Sequence, residues 1–182
     1  MNKIKLNERL IVAKDLLIKE GKLMPVAFLE LTNKANAIIG IPDMPQDYTD
    51  RAYMFFKLGA SSYLEGKKVR EISLLTETWY SKPVGKGENI ITPSQDPNRR
   101  EAIAIITVNA KGKCSFMMQL FKKEGGDIVF GVDKDIEEQG KGIEVKDNIL
   151  KWFWRGYQTG PLAKKKIEKI EELLKEINNI KT

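Results

Sequence analysis

The chain has 182 residues, 31 Lys and Arg against 25 Asp and Glu for a formal net charge of +6, and no histidine. A chain of that length buries about 70% of its unfolded surface as one domain, so no disulfide or metal is needed to make a core. The missing histidine excludes Ser-His-Asp and Cys-His nucleophile systems as ordinarily built and most zinc sites, which leaves carboxylates, Lys, Tyr or an oxygen-ligated hard cation for any catalysis.

Hydrophobic residues at 42% beside charged residues at 31% indicate a globular chain and not a disordered one. The single cysteine, Cys114, lies in an apolar strand pattern and fits a reducing compartment. No run resembles a signal peptide, and none approaches the roughly 20 apolar residues of a membrane span. The expectation is a cytoplasmic protein with no membrane association, no cofactor and no metal site. Lys far outnumbers Arg, as in surfaces built for solubility more than for a concentrated nucleic-acid footprint.

Residues 6–20 read as a helix, because Leu6, Leu10, Ala13 and Leu17 recur at helical spacing and Gly21 stops it. Lys14, Asp15 and Lys19 mark its wet side. Leu23–Leu31 and Ala35–Ile41 predict two short strands around the turn Thr32-Asn33-Lys34, with Pro25 at a strand start or edge. Pro42-Asp43-Met44-Pro45 then breaks the chain. Thr49 is the expected cap of a helix over 49–66, whose apolar face is Ala52, Phe55, Phe56, Gly59 and Tyr63. Gly59 on that face would allow close approach to a strand.

Val69–Tyr80 carries Ile72, Leu74, Thr76 and Thr78 on one face, and Val69, Leu75 and Trp79 among Glu71, Ser73 and Glu77 on the other. Glu101–Asn109 is apolar on both faces and so should lie centrally, covered on both sides. Tight turns lead on to Cys114–Phe121 and Ile128–Val132, a meander that makes the sheet mainly antiparallel. Residues 133–146 read as a loop or exposed hairpin. The segment NILKWFWRGY fits helix or strand, and Gly160-Pro161 is the expected start of a last helix over 161–181. In that helix Ala163, Ile167, Ile170, Leu174 and Ile177 form a short heptad seam, which either docks on its own domain or makes a homodimer. The expected fold is one α+β domain over 1–182: an antiparallel sheet of about five or six strands packed by helices.

Three groups of residues carry possible chemistry. In the loop after Tyr80, Asp96-Pro97 is turn chemistry, and Arg99 and Arg100 either clamp an anion or pair with Asp96, Glu101 or Glu77 to pin the loop. The pattern Glu77-x-Trp79 followed by Pro93-Ser94-x-Asp96-Pro97-x-Arg99-x-Glu101 resembles a motif in small uncharacterised prokaryotic proteins, over about forty residues. The resemblance implies no reaction. It marks Glu77, Trp79, Asp96, Arg99, Arg100 and Glu101 as a candidate ligand or partner surface.

The second group is acidic: Asp133 with Glu144-x-Lys146, or Asp43 with Glu65-x-Lys67, has the spelling of a Mg²⁺-dependent nuclease, in which carboxylates hold the cation against a phosphate. The third is Lys151-Trp152-Phe153-Trp154-Arg155-Gly156-Tyr157. There Lys151, Trp152, Trp154 and Arg155 could contact nucleic acid, or the aromatics could plug the core beneath snorkelling cations. Gly85-Lys86-Gly87 and Gly140-Lys141-Gly142 lack the spacing of a phosphate-binding loop. The functional expectation is a non-enzymatic binding or interaction module, self-association included, recognising its partner through loop 81–101. A Mg²⁺-dependent nuclease or phosphodiesterase is the alternative.

Overall fold

The structure, a computed structural model, describes residues 3–81, 95–131 and 148–180, with side chains over 6–81, 95–131 and 148–168. In chain order the elements are α1 (Lys3–Glu20), β1 (Val26–Leu31), β2 (Asn36–Gly40), α2 (Tyr48–Leu64), β3 (Val69–Tyr80), β4 (Arg100–Asn109), β5 (Cys114–Glu124), β6 (Asp127–Phe130) and α3 (Leu150–Ile180). The strands form one antiparallel sheet of six in the order β2-β1-β3-β4-β5-β6. The architecture is α+β, with helices on both faces of the sheet.

Strand alternation sorts the core into two layers. On one face α1 sets Leu6, Ala13 and Leu17 against Val26, Phe28, Leu75, Ile103, Ile105 and Phe121. On the other, Phe55 of α2 and Leu150, Phe153 and Trp154 of α3 cover Ala27, Leu29, Ile72, Leu74 and Val108. Strand β4 supplies fully buried side chains to both layers, which is why its sequence is apolar at consecutive positions.

Four local features differ from the sequence expectation. The cap of α2 is Asp47, not Thr49: its Oδ1 accepts from the backbone N–H of Thr49 at 2.7 Å and of Asp50 at 3.2 Å. A carboxylate there satisfies two of the orphan donors of the first turn. Those backbone bonds, first to Asp50 and then to Thr49, hold the Asp47 carboxyl below its ordinary value of 3.8.

Val69 packs with the helix-side layer of Ile72 and Leu74 and not beside Leu75. Leu31 pairs with Val69 while Glu30 pairs with Glu71, so Arg70 is the extra residue of a β-bulge and the alternation reverses across it.

The last helix begins at Leu150 and runs through Pro161 instead of starting at Gly160-Pro161. Asn148 Oδ1 accepts from Leu150 N at 2.9 Å to cap it, and Leu150, Phe153, Trp154 and Tyr157 fall on one helical face against α2 and the sheet.

The fourth feature is the neighbour of Gly59, which is a helix and not a strand. A Cβ at Gly59 would overlap the carbonyl oxygen of Phe153, and one at Gly156 would overlap that of Phe56. The backbones of α2 and α3 therefore touch, and Gly160 lies against the Tyr63 ring on the same seam. Beyond that contact the side chains described up to residue 168 are exposed, Leu162 and Ile167 among them, except for the half-buried Ala163. No helix among the described residues is long and apolar enough to cross a membrane.

Candidate functional site

The β3–β4 ladder assembles part of the motif read from the sequence. Trp79 pairs with Glu101 and Tyr80 with Arg100, while Glu77 pairs with Ile103. Side chains alternate, so Glu77, Trp79 and Glu101 share the α1 face, whereas Tyr80 and Arg100 turn to the opposite one. The Arg99 guanidinium stacks 4.2 Å above the Trp79 ring, and Trp79 remains 47% exposed.

Lys123 of β5 completes this cluster, and no sequence motif pointed to it. Its Nζ lies 3.1 Å from Glu77 Oε1 and 3.6 Å from Glu101 Oε1. Burial pulls the Lys123 ammonium down, but the hydrogen bond and charge of Glu77, helped by Glu101, push it above its ordinary value. The second oxygen of Glu77 accepts from Leu23 N at 3.0 Å, which ties the α1–β1 connection to the same point.

Asp96 does something else. Its Oδ1 accepts from Asn98 N at 2.8 Å and its carbonyl from Arg99 N at 3.1 Å, so the carboxylate shapes the turn that feeds β4. Arg100 borders a separate cleft of about 510 Å³ with Leu120, Lys122 and Val129. The structure thus unites Glu77, Trp79, Arg99 and Glu101 and separates Arg100 from them. Residues 82–94 of the loop lie outside the described residues.

A second polar cluster sits beneath α1. Arg9, on the buried stripe of that helix, places Nη2 2.8 Å from Glu71 Oε1 and 3.6 Å from Glu30 Oε2. Its Nη1 donates to Ser73 Oγ and, at 3.2 Å, to Thr107 Oγ1. The two hydroxyls form a cross-strand pair at 2.6 Å. The bulge at Arg70 aims that side chain back to Glu30 Oε1 at 2.8 Å. Two carboxylates converge here as they would on a metal ion, but the cation between them is a guanidinium. A cleft of about 450 Å³ opens beside it, bounded by Val12, Phe28, Lys34 and Asn36.

The other candidates are placed as follows. Glu65 caps the C-terminus of α2 and forms an ion pair with Lys67, while Asp43 is exposed in the turn after β2. Asp133, Glu144 and Lys146 lie outside the described residues, as do both Gly-Lys-Gly segments. No group of three or more Cys, Asp or Glu side chains among the described residues could hold a metal ion.

In the aromatic–basic segment, Trp154 is buried and donates its indole N–H to the Val108 carbonyl at 3.2 Å, which leaves it no face for a base. Phe153 is fully buried. Lys151 and Arg155 are exposed, and Arg155 stacks on the half-buried Trp152 at 4.5 Å. Comparison with protein-family models, curated proteins and solved structures finds no match to this chain.

Proposed function

We propose that this chain is a non-enzymatic binding module that holds a polypeptide partner on the β3–β4 end of its sheet. Trp79 and Arg99 are the anchors, and Glu77, Glu101 and Lys123 form a charged rim. The observation that carries this reading is the half-exposed Trp79 ring with a guanidinium stacked on it at the end of a long ladder. Trp and Arg dominate the energetics of protein interfaces, and an Arg already immobilised on a ring loses little further freedom on binding.

The mixed charge of the rim favours a polypeptide over a polyanion, because Glu77 and Glu101 would repel phosphate. Both converging carboxylate pairs, Glu30 with Glu71 and Glu77 with Glu101, are closed on a cation of the protein itself, which supports binding over metal-assisted hydrolysis. The half-buried thiol of Cys114, accepting from Asn148 Nδ2 at 3.1 Å, fits a reducing compartment such as the cytoplasm.

The test is crosslinking capture from cells with the native chain, Trp79→Ala, Arg99→Ala and the remote control Lys57→Ala. Polypeptides retained by the native chain and the control but lost by both site variants support the assignment. An identical set from all four chains removes it.

A further inference from the structure

Strand β2 is one of the two edges of the sheet among the described residues, and its geometry is self-complementary. Leu31 N donates to Ala35 O, and Ile41 N donates to Pro25 O. In the antiparallel register that joins Val26 to Gly40 and Glu30 to Asn36, residues 35, 37, 39 and 41 therefore direct their backbone groups at β1. Asn36, Ile38 and Gly40 direct theirs outward. All three are exposed, Ile38 by 63%.

Natural edges are blunted by Lys, Pro, charged side chains or bulges. The strand Asn36-Ala37-Ile38-Ile39-Gly40 contains none of these. Such devices stand at the two ends, the exposed Lys34 in the turn before the strand and Pro42 after it, and Pro42 ends any further pairing.

We infer that β2 pairs with β2 of a second copy of this chain, antiparallel about a two-fold axis through Ile38, to give a sheet continuous across two molecules. The register follows from the outward positions. Ile38 meets Ile38 of the second copy, and Asn36 meets its Gly40, so every outward N–H finds a carbonyl.

The side chains agree with that register. Met24, itself exposed, lies over Gly40, with its Cε 3.0 Å from where a Cβ would stand. The Ile38 of the second copy is the diagonal neighbour of Gly40, so the two-fold builds an apolar row of Met24, Ile38, Ile38 and Met24. The same register brings the exposed Lys34 to the Pro42-Asp43 turn of the second copy, twice, with opposite charges meeting. A strand from an unrelated protein would satisfy the backbone groups but has no reason to repeat this symmetric side-chain row.

Sedimentation equilibrium of the whole chain tests this. The mass is expected to rise from 20.7 kDa toward twice that value between micromolar and millimolar concentration. Ile38→Lys sets two ammonium groups opposite each other at an exposed site, and should weaken association by roughly tenfold or more without changing the circular dichroism. Ile167→Lys, on the exposed face of α3, should leave association unchanged.

The register has its own test in a Cys114→Ser background. Ile38→Cys should form a disulfide-linked dimer under mild oxidation, because hydrogen-bonded partners stand about 5.5 Å apart between Cα atoms. Asn36→Cys should not, because the two copies of that position are more than about 12 Å apart. A monomeric mass at millimolar concentration, a dimer that survives Ile38→Lys, or crosslinking of Asn36→Cys as fast as Ile38→Cys would each overturn the proposal.

Discussion

Replacing Arg9 by Met keeps most of the buried volume of the side chain and removes the charge that holds α1 to three strands. The carboxylates of Glu71 and Glu30, 8% and 9% exposed, then lose the guanidinium between them. Breaking one side of a buried ion pair costs about 3–5 kcal/mol, since the charge left behind is no longer compensated. Glu30 keeps Arg70 at 2.8 Å, but the Arg70 side chain is 54% exposed and its charge is screened, so the loss falls mainly on Glu71.

At about 2–4 °C per kcal/mol for a chain of this size, Arg9→Met should lower Tm by roughly 6–20 °C. Urea denaturation gives the free energy directly. Adding Glu71→Gln to Arg9→Met should recover part of the loss, with a coupling of about 0.5–3 kcal/mol. A loss under about 1 kcal/mol, or strict additivity in the double variant, would mean that the carboxylates are hydrated and that α1 docks through its apolar stripe alone.

Three further outcomes follow from the geometry. Gly156→Ala drives a methyl into the Phe56 carbonyl and should destabilise by about 1–3 kcal/mol or more, whereas Gly131→Ala, with nothing among the described residues within 4 Å, should be near neutral in the same denaturation assay. Asp47→Ala should destabilise the chain at neutral pH. Because the Asp47 carboxyl is held below 3.8 in the folded state, the advantage of the native chain is complete above that pH and disappears as the pH falls through the lowered value. Lys123→Met should show the opposite window: the ammonium is held above 10.5, so its contribution is complete below that pH and is lost as the pH rises through the raised value.

The elements that repeat a simple period were legible from residues alone. The stripe Leu6, Ala13, Leu17 and the doubly apolar β4 gave α1 and the centre of the sheet, and both lie where the pattern placed them. Arg9 was not legible. It interrupts an apolar stripe, and its partners Glu71 and Thr107 are 62 and 98 positions away, joined to it only by the strand register. The signal available was the row of polar residues, Glu71, Ser73 and Thr107, on one face of strands that are otherwise buried.

At the β3–β4 end of the sheet, Glu77, Trp79 and Glu101 could be grouped because one ladder joins the strands on either side of the loop. Lys123 comes from the next strand, and Arg100 is split from Arg99 by the pleat, neither of which a linear motif encodes. Val69 lies on the opposite face from the one strict alternation predicts because a bulge adds one residue and inverts the alternation. The start of α3 is hidden because Pro161 reads as a first-turn residue, whereas the Asn148 cap stands eleven residues of helix earlier.

The glycine contact between α2 and α3 also bears on how the chain reaches its native state. Gly59 meets Phe153 and Gly156 meets Phe56 across the whole of the meander, so the loop closed by this contact is among the longest in the molecule. Contacts of high sequence separation are entropically expensive and form after local hairpins have joined. During synthesis, the apolar layer formed by Phe55, Ile72 and Val108 stays incompletely covered until α3 emerges with Leu150, Phe153 and Trp154. A contact made after the transition state acts on unfolding rather than folding. Substitutions at Gly59 and Gly156 should therefore shorten the lifetime of the folded molecule while leaving its rate of formation almost untouched.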